Sequence, residues 1–463
     1  MKGFQLLAGL CAARQVYSQA VAEGHPSWYA DANGAPGAKG IPDPTYSGEI
    51  NTIAIPKFNE AQDTASADKA KCVADIPTFT WIDSNSKIPL IKPLLQAVKD
   101  QTATTGEKKM AQLVVYNLPN RDCGAEASAG ELLIANNGIE EYKKFIDAVA
   151  EALTGSEELV SVVLEPDSLG NLVTNQETTD KCKEVVATNA YTIGTLYAID
   201  KLNLPNPPNV RGVATNTANY NAFSIVEAPA YTADSPTKDE KTYINFLAGN
   251  LTEQGFPAHF IVDTGRNGVQ PTKQEKWGDW CNVLGTGFGV RPTAKQEEIA
   301  DPLIDAFVWV KPAQSDGTSD QASPRFDPTC GRPAAMQPAP EAGTFFQPYF
   351  EQLLANANPP IACDAAAGTQ TQVTANDTEG TVPGAVPGTT PEVTPTVDTP
   401  IEGIGGLVGG VAGTGLGAGV AAANEVGSGL GLDVGVARAD STTNTQVPDN
   451  AGGEGADDEC PAA

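Results

Sequence analysis

Apolar runs of strand length alternate along this chain with longer amphipathic stretches, and most of the runs end beside an acidic residue. The stretches 139–155 and 182–202 have the length and pattern of helices. Strands alternating with helices predict a parallel α/β sheet or barrel, in which the carboxyl ends of the strands share one face. We therefore expect one rim to gather several acidic side chains: Asp83, Asp122, Asp167, Asp263 and Asp316.

The charge balance narrows the possible partners. The chain has 57 acidic and 29 basic residues and a net charge of −28. Phosphate backbones and anionic membrane surfaces repel such a protein, so we expect no nucleic-acid or membrane partner. A neutral polysaccharide is compatible with this charge. Only two histidines are present, His25 and His259, which leaves acid–base chemistry to carboxylates. Because the chain has no CxxC pair either, we expect no metal and no cofactor.

Aromatic residues lie on or beside the same strand ends. Trp and Tyr rings stack on the flat faces of sugar rings, and a pair of carboxylic acids can cleave a glycosidic bond. For Asp167 to act as an acid near neutral pH its pKa must be raised, and a neighbouring carboxylate such as Asp122 would raise it. We interpret Trp309 as a core residue. The aromatic residues concerned are Trp81, Tyr116, Trp277, Trp280 and Trp309.

The composition divides the chain into four parts. Residues 1–20 have a charged start, a short apolar run and a small-residue cleavage site, as in a secretory signal. Residues 21–45 predict an extended lead-in, and residues 46–362 a globular catalytic domain. Residues 363–463 form a Pro/Thr-rich, then Gly-rich and acidic tail, for which we expect disorder. These features predict a secreted, extracellular protein without a transmembrane segment.

Seven motifs run in order from about Tyr46 to Pro360: VVYNLPNRDCGAEASAGE, VLEPDSLGNLVTN, RGVATNTANYN, WGDWCNVLGTGFGVRP, FVWVKPAQSDGTSD, SPRFD and MQPAPEAGTFFQPYFEQLLANANP. Together they resemble glycoside hydrolase family 6, which includes fungal cellobiohydrolases of the second type and related endoglucanases. The resemblance implies a distorted α/β barrel of parallel strands, normally seven, and inverting hydrolysis of β-1,4-glucosidic bonds in cellulose by a monomer. Two loops, around 118–136 and 311–346, match those that roof the tunnel of exo-acting members and favour a cellobiohydrolase over an endoglucanase.

The resemblance also implies roles for individual residues. Asp167 matches the general acid, and Asp122 matches the Asp that keeps the acid protonated and helps to organise the water. Arg121, next to Asp122 in the sequence, is also expected to be catalytic. Asp316 matches the Asp often proposed as base. Tyr116 matches a Tyr that crowds the distorted sugar, and Ser128 a Ser that holds water on a mobile loop. The positions expected to bind substrate are Trp81, Asp83, Asn216, Asn219, Trp277, Trp280, Lys311 and Gln314.

Cysteine positions match two family disulfides, Cys123 with Cys182 and Cys281 with Cys330. Cys72 and Cys363 flank the domain in sequence and could form a third, which would leave Cys460 free in the tail.

One departure from the family is large. Members carry a strand ending in Asp-Ala-Gly-His-Ala-Gly-Trp and then a helix, whereas this chain passes directly from LNLPNPPN to VRGVATN. We therefore expect a barrel one strand short. It could close with fewer strands, be repaired by its neighbours or fold badly, and a skipped exon would explain the gap. Two alternatives to catalysis stay open: a catalytically impaired glucan-binding protein, or a wall-associated structural protein that acts through its Gly-rich tail.

Overall fold

A computed structural model of the protein describes residue 29 and residues 37–202, 210–232, 235–256, 258–270, 272–276 and 278–363. The predicted signal 1–20, the tail beyond Cys363 and Trp277 lie outside the described residues. The strands are β1 (Lys39–Gly40), β2 (Thr80–Ile82), β3 (Lys109–Val115), β4 (Leu159–Leu164), β5 (Gly212–Thr215), β6 (His259–Asp263) and β7 (Ile304–Val308).

At least one helix separates each of these strands from the next, as the alternating pattern predicts. Between residues 37 and 154, all of which the structure describes, there are five α-helices: α1 (Pro44–Glu49), α2 (Ile55–Glu60), α3 (Thr64–Ala74), α4 (Ile91–Thr105) and α5 (Gly138–Leu153). A π-helical turn, Ile50–Ala54, joins α1 to α2. The others are α6 (Ser168–Thr174), α7 (Asp180–Thr188), α8 (Ala190–Leu202), α9 (Glu240–Glu253), α10 (Gln296–Ile299) and α11 (Gln347–Ala355).

The predicted helix 182–202 is in fact two helices, which corrects the expectation. Asn189 lies between α7 and α8 in the left-handed region, with φ of 53°. Asn tolerates this conformation and commonly ends helices. The predicted helix 139–155 agrees with α5 to within two residues.

Among the described residues, the seven strands pair only in parallel and form two sheets. In the first sheet β3 pairs with β4 along one edge and with β1 and β2 along the other. The second sheet has the order β5-β6-β7. The sheets meet where the backbone N–H of Phe79, just before β2, donates to the carbonyl of Trp309, just after β7, at 3.3 Å. The strand order around the fold is therefore β4-β3-β2-β7-β6-β5.

The side chains between the two sheets confirm the parallel α/β barrel. One apolar cluster contains Val114, Val163, Ala214, Ile261 and Val308, together with Phe79 and Trp81 near β2, so six strands contribute to it. Alternate residues of β3 point outward, into a second cluster that they share with α4 and α5. This alternation is what a strand covered on both faces requires.

Within the part of the chain that the structure describes, the barrel is open between β4 and β5. Across the described residues β4 pairs only with β3 and β5 only with β6. Five of the six residues of β4 are half-buried, whereas every residue of β3 except the first is buried. The family's missing strand would follow α8 and precede β5 in sequence, so the gap lies where the sequence predicts it.

Tyr29 of the lead-in reaches the barrel interior. Its hydroxyl group donates to Ser161 at 3.1 Å and accepts from the side-chain amide of Gln112 at 3.0 Å. The lead-in thus contributes to the end of the barrel opposite the acidic rim.

The described cysteines form three disulfides, as expected: Cys72–Cys363, Cys123–Cys182 and Cys281–Cys330. Trp309 is fully buried and stacks on Phe288, which confirms it as a core residue. Across the described ranges, each helix is too short or too polar to cross a bilayer.

Candidate active site

Strained backbone marks the rim at the carboxyl ends of β3, β4 and β5. The non-glycine residues there with positive φ are Asn120 at 54°, Asp122 at 49°, Glu165 at 49°, Asp167 at 65°, Asn216 at 57° and Ala218 at 57°. Such conformations cost about 1–3 kcal/mol each and concentrate at functional sites, where the surroundings impose them. The rim is therefore a candidate functional site.

Two carboxylates and a tyrosine form the centre of this rim. Tyr116, at the end of β3, donates its hydroxyl hydrogen to Oδ2 of Asp122. Oδ1 of Asp122 accepts from the side-chain amide of Asn171 at 3.2 Å. Asn171 belongs to α6, and its side-chain amide also donates to the carbonyl of Asp167 at 3.1 Å. A single side chain thus connects the segments that carry the two acids.

Asp167 keeps its proton to an unusually high pH. Its side chain is accessible to solvent, yet the protein around it limits its hydration. This desolvation, followed by the negative charge of Asp122, raises the pKa of Asp167 to about 7, against the opposing charge of Lys311. Asp316 adds a smaller effect in the same direction. An accessible carboxylic acid that is protonated near neutrality is suited to donate a proton.

The hydrogen bonds of Arg121 to the described residues go to backbone carbonyls and not to the carboxylate of Asp122. Its guanidinium donates to the carbonyls of Asp83 at 2.8 Å, of Ser128 at 3.1 Å and of Tyr116. It lies 4.3 Å from the centre of the Tyr116 ring. Arg121 therefore ties the end of β2 to the end of β3 and to the loop that follows.

Asp316 lies in a buried cluster of cations and donors. Its oxygens accept from Arg266 at 2.9 Å, from Lys311 at 2.8 Å, from the hydroxyl of Tyr220 at 2.6 Å and from the backbone N–H of Asn282 at 2.9 Å. Burial alone would raise the pKa of Asp316, but Arg266 and Lys311 reverse this and hold it well below its usual range. The carboxylate stays charged at every physiological pH.

The sequence reasoning did not select Arg266 or Tyr220. Arg266 is 1% exposed and follows β6, and its guanidinium lies 4.4 Å from the centre of the Tyr220 ring. One sequence signal could have indicated Arg266: it is a basic residue that closely follows a strand end, on a rim that is otherwise rich in acidic residues. Its partner Asp316 is 50 residues further along the chain.

Comparison with known proteins decides the family. The family model described as "Glycosyl hydrolases family 6" matches residues 36–207 and 206–357. This chain belongs to glycoside hydrolase family 6. It is 48% identical over 354 residues to the probable 1,4-beta-D-glucan cellobiohydrolase C of Aspergillus terreus, covering 68% of this chain and 74% of that protein. It is 43% identical over 355 residues to exoglucanase-6A of Humicola insolens, covering 68% and 73%.

Solved structures of family 6 agree with the fold. The catalytic core of the cellobiohydrolase Cel6A from Chaetomium thermophilum superposes with a TM-score of 0.66 at 44% identity, covering 70% of this chain and 98% of that one. Cellobiohydrolase II (Cel6A) of Humicola insolens, in complex with glucose and cellotetraose, gives a TM-score of 0.66 at 41% identity, with the same coverage.

The family comparison also locates the missing unit. The two matched segments meet at residues 206–207, between α8 and β5. The alignment with the A. terreus relative spans 354 positions, which is more than 68% of this 463-residue chain. The relative therefore has positions without a counterpart here.

Two tryptophans of this family 6 chain lie near the acids with part of their surface free. Trp81 meets Tyr116 edge to face at 5.7 Å and donates its indole N–H to the carbonyl of Val310 at 2.9 Å. Trp280 is half-buried against the Cys281–Cys330 disulfide.

Other predicted substrate positions use their polar groups within the protein. Asn216 is buried, and its side-chain amide donates to the carbonyls of Asn221 at 3.1 Å and Asp263 at 2.8 Å. The carboxamide oxygen of Asn219 accepts from the backbone of Tyr220 at 3.0 Å. Asp83 pairs with Lys87 at 2.8 Å.

The loop residues Ser128 and Gln314 are both half-buried. Ser128 ends the 3₁₀ turn Glu126–Ser128, and Gln314 forms an isolated bridge with Phe345. Within the described ranges, no group of three or more His, Cys, Asp and Glu side chains is arranged to hold a metal ion.

Proposed function

We propose that this chain hydrolyses β-1,4-glucosidic bonds in cellulose with inversion and releases cellobiose from chain ends. The observation that supports this most strongly is the arrangement of Asp167 and Asp122: the side chain of Asn171 links them, and the charge of Asp122 acts on Asp167. The charge of Asp122 helps to raise the pKa of Asp167 to about 7, so the acid is protonated where the reaction occurs. Its relatives are named cellobiohydrolases and exoglucanase, which favours action at chain ends.

In the proposed reaction Asp167 gives its proton to the glycosidic oxygen while water attacks the anomeric carbon from the opposite face. Asp122 and Asp316 are the candidates for accepting the proton of that water. Two cations and two further donors bind Asp316, which makes it a weak proton acceptor. We therefore assign the uptake of the proton to Asp122, which accepts from Tyr116 and Asn171.

This assignment keeps the charge of the acid pair constant. Before the reaction the pair Asp122–Asp167 holds one proton, on Asp167. As Asp167 releases it to the leaving group, Asp122 takes one from water, and the pair again holds one proton. Two neighbouring carboxylates resist a double negative charge, so the exchange avoids the least favourable state of the site.

The remaining rim residues bind sugar or support the site. We assign stacking on glucose rings to Trp81 and Trp280, and to Trp277 outside the described residues. Lys311 lies beside Asp316 with 16% of its side chain exposed, so it can donate to sugar hydroxyls, and Gln314 and Ser128 flank the same face. Asp83, Asn216, Asn219 and Arg121 support these residues by fixing the strand ends.

We further propose that residues 46–362 form the catalytic domain of a monomeric protein that is secreted through the signal 1–20. The three disulfides support an oxidising compartment.

Release of cellobiose from amorphous cellulose tests the proposal. The purified chain is compared with Asp167→Asn, which keeps the shape of the side chain but cannot supply the proton. Asp200→Asn changes an exposed carboxylate of α8 and serves as the matched control. The proposal predicts release by the wild type and by Asp200→Asn, and a loss of about 100-fold or more in Asp167→Asn.

The open barrel favours a second candidate, a glucan-binding protein without activity. β4 delivers Asp167, and this strand borders the gap. A folded wild-type chain that binds cellotetraose but releases no cellobiose would support that candidate instead.

A further inference from the structure

Glu165 is a buried carboxylate to which the proposed chemistry gives no role. It follows β4 directly, two residues before Asp167, and is 3% exposed. One carboxylate oxygen accepts from the backbone N–H of Asn117 at 3.0 Å and from the hydroxyl of Tyr142 at 2.8 Å. The other accepts from the backbone N–H of Leu118 at 3.3 Å. One side chain thus joins the end of β4 to the segment that follows β3.

The two segments that Glu165 joins carry the two acids. On the β3 side, Asn117 comes directly after Tyr116, whose hydroxyl binds Asp122, and the carbonyl of Leu118 accepts from the N–H of Arg121 at 3.0 Å. On the β4 side, the carbonyl of Glu165 accepts from the hydroxyl of Ser168 at 2.7 Å and so closes the turn around Asp167.

The backbone of Glu165 has a strained conformation. Glu165 has φ of 49°, a conformation that L-residues other than Asn and Asp seldom adopt. Burying a carboxylate costs free energy unless hydrogen-bond donors surround it, and three donors bind this one. An ordinary strand end needs neither the strain nor the buried acid.

We propose that Glu165 is a positioning residue that sets the separation of Asp122 and Asp167 and thereby keeps the catalytic acid protonated. The inference rests on the proposed function. It adds that Glu165, which takes no part in the reaction itself, determines the pH range in which the reaction runs.

Charged and titratable groups around Asp167 and around Glu165 also affect the pKa of these two side chains. Asp122, Lys311 and Asp316 act on Asp167. Tyr142 and Arg121 act on Glu165, where burial raises the pKa to about 7 against the bonds that it accepts.

Two substitutions separate positioning from simple support. Glu165→Gln keeps the volume but replaces one acceptor oxygen by an NH₂ donor, which then faces the backbone N–H of Asn117 or of Leu118. The mismatch shifts the 117–118 segment away from β4. Tyr142→Phe is the matched control, because it removes one donor and leaves both backbone bonds to Glu165 in place.

The primary readout is the titration midpoint of the Asp167 side chain, followed by ¹³C NMR of aspartate-labelled protein and assigned with Asp167→Asn. It requires no activity, so it tests the inference even if the wild type releases no cellobiose, a result that would overturn only the proposed function. In Glu165→Gln we expect the midpoint to fall by about 0.5–1 pH unit as Asp122 moves away. We expect kcat on cellotetraose to fall about 10- to 100-fold with little change in KM. Tyr142→Phe should leave the midpoint unchanged.

An unchanged midpoint in folded Glu165→Gln would overturn the inference, whether or not kcat falls, because a structural support alone would not set the pKa of Asp167. If Glu165→Gln does not fold, Glu165→Asp replaces it. This variant keeps the carboxyl group but is one methylene too short to reach both backbone N–H groups, and the same fall in the midpoint is expected.

Discussion

The hydroxyl group of Tyr116 donates a hydrogen bond to the carboxylate of Asp122. The bond joins the end of β3 to the acid that follows it, and Tyr116 is almost fully buried. Because the ring packs in the barrel interior, Tyr116→Phe should leave the fold intact and remove only the donor. A hydrogen bond to a charged group contributes about 1.5–3 kcal/mol, so we expect kcat/KM on cellotetraose to fall about 10-fold or more. An unchanged kcat/KM would show that this bond does not serve the reaction.

Asp122→Asn should move the alkaline limit of activity. The general acid works only while protonated, so activity is lost as the pH rises through the pKa of Asp167, which is about 7. Removing the negative charge of Asp122 lowers that pKa, and the loss of activity then begins at a lower pH. We also expect kcat to fall, because Asp122 is the assigned proton acceptor. The measurement is kcat/KM between pH 4 and 9, and an alkaline limit that stays in place would contradict the electrostatic pairing.

Asp316→Ala should destabilise the protein strongly. The substitution leaves Arg266, which is 1% exposed, as a buried cation without its partner. Breaking such a buried pair typically costs about 3–5 kcal/mol, measured as the free energy of unfolding in urea. Lys311→Met is the control: its side chain is partly exposed and Asp316 keeps Arg266, so a smaller loss is expected. Equal losses in the two variants would contradict the assigned importance of the Arg266 pair.

The same cluster predicts how stability depends on pH. The pKa of Asp316 is lower in the folded protein than in the unfolded chain, where a carboxyl group titrates at about pH 4. The contribution of Asp316 to the free energy of unfolding is therefore complete above that pH and is lost as the pH falls below it. Unfolding followed between pH 2 and 6 should show this loss in the wild type and a weaker one in Asp316→Asn.

The open edge of the barrel should be visible in hydrogen exchange. β3 has strands on both edges, whereas β4 pairs with β3 alone among the described residues. Amides of Leu159–Leu164 should therefore exchange faster than those of Lys109–Val115. Equal protection would mean that another part of the chain, or a second copy, covers β4.

Much of this site could be predicted from local patterns. Parallel strands end at one rim whatever their order in the sheet. The apolar runs were therefore enough to predict that Asp122, Asp167 and Asp316 lie on the same rim. The same holds for the core position of Trp309, because an apolar residue within a strand is normally buried.

The remaining features depend on contacts between distant segments. The support that Arg266 gives to Asp316 spans 50 residues, and the hydroxyl of Tyr220 reaches Asp316 across 96. A motif places a residue at a strand end but does not say where its side chain turns. For this reason the motif could not predict the three carbonyls that the guanidinium of Arg121 binds, and Glu165 was not selected at all.

The stereochemistry of the first product tests the central claim most directly. Proton NMR of the wild-type chain acting on cellotetraose shows the anomeric signal of the new reducing end before mutarotation. Attack by water, with Asp167 as acid and a second carboxylate as base, predicts that the α-anomer appears first. The β-anomer first, or no product from a folded chain, would contradict the account.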